Sequence, residues 1–166
     1  MKSGSITRAG ILALACGSLL IGCVMRTRPE LPNNPISTQE SSLGEEIVRH
    51  AISWLGRPYR YGGADPSGFD CSGFTQYVFA RYGLALPREV REQYRVGKSV
   101  KAEDLAPGDI LFFSTTEPGP SHVAIALGGD QFVHAPSSTG VVRVERLSSS
   151  YWSPRYLGAR RVITQP

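Results

Sequence analysis

LAPGDILFF, residues 105–113, divides the chain into two kinds of sequence. Before it, apolar residues recur at helical spacing. After it, they come in short runs separated by Gly, Pro and Ser. The stretch itself holds the first such run, Ile110–Phe113, and four more follow: HVAIALG (122–128), QFVHA (131–135), VVRVERL (141–147) and LGARRVI (157–163). Each reads as a strand. Helices first and strands afterwards predict an α+β domain, with N-terminal helices packed on an antiparallel sheet of about five strands.

Upstream, Ser42 and Glu45 have capping-box spacing, and Ile47, Val48, Ala51, Ile52 and Leu55 trace one helical face. Gly56 and Pro58 end that helix. A glycine-rich loop, PYRYGGADPSG (58–68), leads into FDCSGF (69–74), after which Phe74, Val78 and Tyr82 keep helical spacing as far as Gly83. Asp70 stands at the N-cap, so Cys71 falls in the first turn. A third, shorter helix is expected from Pro87 to about Val96, closed by Gly97.

The N-terminus has a different character. Lys2 and Arg8 precede AGILALACGSLLIGC (9–23), and no further charge occurs before Arg26. That is the layout of a secretory signal. At 17 residues the uncharged span Ala9–Met25 is at the lower limit for a membrane anchor. Leu20-Ile21-Gly22-Cys23 resembles a bacterial lipobox, which implies cleavage after residue 22 and lipidation of Cys23, with the acyl chains giving firm membrane anchoring. Residues 24–42, rich in Pro, Asn, Ser and Thr, read as a flexible tether with a reach of roughly 20–25 Å. The globular domain is then 43–166. Val24 lacks the aspartate that favours inner-membrane retention, so in a two-membrane cell an outer-membrane location facing the periplasm is expected.

Charge narrows the partners. The whole chain carries +4, and removing residues 1–22 takes away Lys2, Arg8 and no acid, leaving +2. The remaining basic residues are scattered, with no run longer than Arg160-Arg161. Nucleic acid is not an expected partner, and a monomer is.

Of the three cysteines, Cys16 leaves with the signal and Cys23 is lipidated, so Cys71 is the one free thiol of the exported chain. A thiol at a helix N-terminus faces the positive end of the dipole, which favours the thiolate, and the free N–H groups there suit an oxyanion. Of the histidines, His50 reads as a surface residue, while His122 and His134 occupy consecutive strands. A two-residue turn at Gly129-Asp130 pairs Leu127 with Phe132 and puts the two rings on opposite faces. A three-residue loop, Gly128–Asp130, pairs Ala124 with His134 and leaves His122 on the same face, about 7–8 Å away diagonally. The second register is the expectation. Cys71 is then the nucleophile, His122 its general base, and His134 the group that orients His122. The same three residues could instead ligate zinc, but no helper carboxylate stands near them in sequence, and neither a metal nor an organic cofactor is expected.

YRYGG, FDCSGFTQYVFARYGLALPR, LAPGDILFF, HVAIALGGDQFVHAP and GARRV, in that order over about residues 45–163, resemble the NlpC/p60 family of bacterial cell-wall cysteine peptidases. The resemblance implies a papain-like fold and hydrolysis of amide bonds in peptidoglycan stem peptides or cross-links, either D-Glu–diamino acid or D-Ala–diamino acid. It implies a Cys71-His122-His134 triad, and a Tyr59 hydroxyl beside the nucleophile. Asp70, Ser72 and Arg88 are implied as substrate-binding residues, with helix capping and bracing as the simpler roles. The family's HVGI glycine is Ala124 here, which is expected to narrow a subsite. Two other readings stand beside this one: a non-catalytic wall-binding lipoprotein of the same fold, and a thiol acyltransferase acting on lipids.

Overall fold

A computed structural model of the chain describes residues 42–163. The signal segment, Cys23 and all of the tether but Ser42 lie outside the described residues.

Helix α1, Leu43–Ile52, begins where the capping box places it. The Glu45 N–H donates to Ser42 Oγ (3.3 Å) and the Ser42 N–H to Glu45 Oε2 (3.0 Å). Gly44, Ile47 and Ala51 are buried, whereas Ile52 and Leu55 are exposed, because the helix stops at Ile52 and the chain turns away. A short hairpin follows, β1 (Ala64–Asp65) with β2 (Gly68–Phe69), and then α2, Cys71–Ala80.

The third helix is shorter than its sequence suggests. It spans only Val90–Gln93 (α3), with Glu89 extended at its N-cap. Its one buried residue explains the geometry. Gln93 Nε2 donates to the carbonyls of Pro87 (2.8 Å) and Ser72 (3.1 Å), and Gln93 Oε1 accepts from Thr75 Oγ1 (2.8 Å). The Pro87–Glu89 stretch is thus tied to α2 instead of being coiled into α3.

The remaining strands are β3 (Lys98–Val100), β4 (Ile110–Phe113), β5 (His122–Gly128), β6 (Gln131–His134), β7 (Arg143–Arg146) and β8 (Tyr156–Arg161). They form one antiparallel sheet of order β3-β8-β4-β5-β6-β7. The five expected strands are all present. The sixth, β3, pairs with the edge of β8 through Lys98, Ser99 and Val100, a segment too polar and short to be read as a strand.

Both faces of the sheet are covered. Ile110, Phe112, Val123, Ile125 and Val133 pack against Ile47, Ala51, Phe74, Val78 and Phe79 of the helices. Leu111, Phe113, Ala124, Ala126 and Phe132 pack on the other side with Trp152 and Ala159. Strand β4 is therefore buried at all four positions, as a run of continuous apolar sequence requires. Its start is fixed by Asp109, buried in the LAPGD turn. That carboxylate accepts the Ala106 N–H (2.8 Å) and a bidentate pair from Arg161 of β8 (2.8 Å each).

Helix α1 meets this turn through bare backbone. A Cβ at Gly44 would lie 2.2 Å from the Pro107 carbonyl oxygen. Gly44→Ala should destabilise the domain by on the order of 1–3 kcal/mol in denaturant unfolding, despite alanine's better helix propensity. A variant as stable as the parent would show that α1 can shift freely on the sheet.

Candidate active site

Two backbone constraints deliver Cys71 to the first turn of α2. Asp70 is extended (φ −89°, ψ 178°), and its carboxylate accepts the Gly73 N–H at 2.7 Å, as an N-cap should. Gly73 in turn lies directly against the glycine-rich loop: a Cβ there would sit 2.0 Å from the Gly63 carbonyl oxygen. The glycines of this region let two backbones touch, which anchors the start of α2.

The Cys71 thiol is partly buried and meets the backbone N–H groups of Ser72, Val123 and its own residue. Those contacts favour the thiolate. Burial is the larger influence, the Asp70 charge adds to it, and together they push the thiol up to about 11. Burial thus works against the thiolate expected from the helix N-terminus. Desolvation outweighs the dipole.

Strands β5 and β6 pair Ile125 with Val133 and Ala126 with Phe132, and the ladder then slips so that Gly128 meets Gln131. The turn between them is the two-residue Gly129-Asp130 that would by itself separate the histidines. A bulge at Leu127 inserts one extra residue and restores the parity. Both rings consequently lie on one face, with His122 Nε2 at 2.8 Å from His134 Nδ1. Both are buried. Burial takes His122 down to about 4, and burial with the charges of His122 and Arg143 takes His134 to about 2. Val123, whose N–H meets the Cys71 thiol, follows His122 directly, so the thiol lies at the end of β5 where His122 stands.

Trp152 completes the wall around the two rings. It stacks on His122 (5.4 Å, 27°) and meets His134 edge-on (5.0 Å, 84°). Its sequence context, SSSYWSPRY, reads as a loop, so its place in the site was not legible there. His50, by contrast, is half-buried among Trp54, Tyr77 and Tyr82, with ring centroids 5.9–6.1 Å away, and is not the surface residue expected.

Tyr59 is positioned by the segment before the hairpin: its N–H donates to the Gly140 carbonyl (2.7 Å), and it bridges to Phe69. Burial raises its phenol, and the charges of Cys71 and Asp70 raise it further, while Arg88 works against them. Asp70, Ser72 and Arg88 come together as one network. Arg88 forms an ion pair with Asp70 and donates to Ser72 Oγ at 2.8 Å. Asp70 therefore caps α2 and binds Arg88 at once, and only the Arg88 side chain, 34% exposed, has an appreciable open surface. Ala124, expected to narrow a subsite, points instead into the core beneath the sheet with Leu111 and Phe113. Among the described residues, no three of His, Cys, Asp and Glu converge as metal ligands.

Residues 56–161 match the NlpC/P60 family. The chain is 48% identical over 132 residues to the gamma-DL-glutamyl hydrolase of Bacillus subtilis, covering 77% of this chain and 32% of that protein, so it spans about a third of that relative. It is 36% identical to the murein DD-endopeptidase MepS/murein LD-carboxypeptidase of Escherichia coli, with 99% of both chains covered. Among solved structures, a Staphylococcus aureus protein described as similar to lipoprotein, of the NLP/P60 family, superposes with a TM-score of 0.68 at 36% identity, over 75% of this chain and 43% of that one. With a papain-like α+β fold and, among the described residues, one cysteine, Cys71, near the strand that carries His122, the chain belongs to the NlpC/P60 family of cysteine peptidases.

Proposed function

We propose that this chain is a peptidoglycan hydrolase, a cysteine endopeptidase cleaving amide bonds in stem peptides or cross-links. The observation that carries the reading is the 2.8 Å contact between His122 and His134 at the end of the strand whose Val123 N–H meets the Cys71 thiol. Relatives named for gamma-glutamyl and for DD- and LD-peptide bonds support this substrate class.

With His122 Nε2 engaged by His134, Nδ1 is the nitrogen left to take the thiol proton. Because burial favours the neutral forms of both groups, that transfer accompanies attack instead of preceding it. Sγ bonds to the scissile carbonyl carbon, and the resulting oxyanion faces the N–H groups of the first turn of α2 and the Tyr59 hydroxyl. His122 returns the proton to the leaving amine. Water then hydrolyses the thioester, with His122 accepting its proton and handing it back to Cys71. Arg88, held by Asp70 and Ser72 on either side of Cys71 in sequence, offers its part-exposed guanidinium to the carboxylates of a stem peptide. Leu20–Cys23 and the uncharged run before it support an exported, lipid-anchored form facing its wall substrate, with Cys23 as the lipidated residue.

Mass spectrometry of fragments released from defined muropeptides tests the reading and reports the bond. Cys71→Ala should abolish release, a loss of at least about 10³-fold, with the thermal midpoint little changed. Cleavage at the wild-type rate would refute Cys71 as nucleophile, and intact muropeptides with the wild-type chain would favour a wall-binding role.

The proton inventory gives a second test. With the thiol near 11 and His122 near 4, the resting site holds little thiolate at neutral pH. Alkylation of Cys71 by iodoacetamide should accelerate steadily from pH 6 to pH 10, roughly tenfold per unit. A rate already flat from about pH 5 upward would instead reveal a preformed thiolate–imidazolium pair.

A further inference from the structure

The second ring nitrogen of His134 poses a problem the triad does not solve. Nδ1 faces His122, while Nε2 is buried and has no hydrogen-bond partner. Glu145 Oε1 stands 3.8 Å from it. Glu145 lies on β7 opposite Phe132 of β6, and so shares the face that carries Phe132 and His134. Its carboxylate is itself held in place. The Trp152 indole N–H donates to Oε2, and Arg143 Nε reaches Oε1 at 3.2 Å. Trp152 is also the residue packed on both histidine rings, so one indole fixes the carboxylate and the rings together.

Hydrogen bonding decides what that carboxylate does. A 2.8 Å contact between His122 Nε2 and His134 Nδ1 holds one proton. If His122 is to accept the thiol proton at Nδ1, its own proton must be on Nε2 and be donated to His134 Nδ1. The His134 proton must then be on Nε2, pointing towards Glu145. In the reverse arrangement His122 carries its proton on Nδ1 and cannot act as a base. A carboxylate beside His134 Nε2 selects the first arrangement, and an approach of about 1 Å would bring it to hydrogen-bond length.

Resting on the hydrolase reading for its catalytic meaning, we propose that Glu145 is a positioning residue, the fourth member of a Cys71–His122–His134–Glu145 relay. It fixes the tautomers of the histidine pair so that His122 presents a bare Nδ1 to the thiol. It also opposes the positive charge that develops on His122 during attack. The other charge facing His134 is Arg143, directly across the ladder, which disfavours protonation of the pair. By engaging Arg143, Glu145 moderates that effect.

The test is ¹⁵N NMR of histidine-labelled full-length chain, whose three histidines are assigned by single substitution, together with muropeptide kinetics. Wild type should show the Nε2–H tautomer at both His122 and His134. Glu145→Leu, which removes the acceptor, should populate Nδ1–H at both and lower kcat by on the order of 100-fold, with KM within about twofold. Glu145→Gln, which keeps an acceptor without the charge, should hold the wild-type tautomers and lose about tenfold in kcat. Wild-type tautomer signals in Glu145→Leu would overturn the proposal. If that variant does not fold, kcat at the wild-type level in Glu145→Gln would overturn it. The spectra need no substrate, so a wild-type chain that leaves muropeptides uncut defeats the hydrolase reading while the tautomer result still decides the role of Glu145.

Discussion

One extra residue in β5 sets the geometry of everything that follows. Side chains alternate across a strand, so a hairpin closed by Gly129-Asp130 alone would direct His122 and His134 to opposite sides of the sheet. The bulge at Leu127 shifts the ladder by one, and the two imidazoles meet at 2.8 Å on a single face. The same shift directs Val123, Ile125 and Val133 towards the helices, and Ala124, Ala126 and Phe132 into the second core. Packing and chemistry are therefore set by one register. A slip would expose apolar side chains on both faces as well as separating the rings, so the cores hold the site in register.

Cys71, His122 and His134 stand in a largely dry environment. A helix N-terminus and three backbone N–H groups favour a thiolate at Cys71, but burial and the Asp70 carboxylate act against it and prevail. Burial likewise keeps His122 neutral. On the mechanism proposed above, charge separation would be stabilised only as it forms, by groups already in place: the N–H groups of α2, the Tyr59 hydroxyl and, through His134, the Glu145 carboxylate. Asp70 contributes to both sides of this balance. It caps the helix that carries Cys71, holds Arg88, and also raises the thiol.

Much of this was readable one element at a time. The capping box at Ser42 and Glu45, the N-cap at Asp70 and the turn at Gly83 are local signals, with partners within a few residues, and each end stands where the sequence puts it. Strand β3 and the true extent of α3 were not readable in this way. Lys98 and Ser99 become a strand only because β8 offers an unpaired edge. Pro87–Glu89 stays out of the helix because Gln93 binds Pro87 and Ser72, and Arg88 binds Ser72. Trp152 and Glu145 carried no local mark at all, since their relation to the histidines exists only across the sheet.

By itself the sequence determined the order of helices and strands, the place of one thiol at a helix start, and the presence of two histidines in neighbouring strands. Those properties follow from short-range spacing and residue type. Whether the histidines share a face depended on a bulge whose position is set by packing on both sides of β5, and either loop length was compatible with the residues of the turn. The protonation of the site likewise depended on burial, which arises from residues distant in the chain closing over Cys71 and the two rings. Desolvation and strand register are collective quantities, and only the assembled domain fixes them.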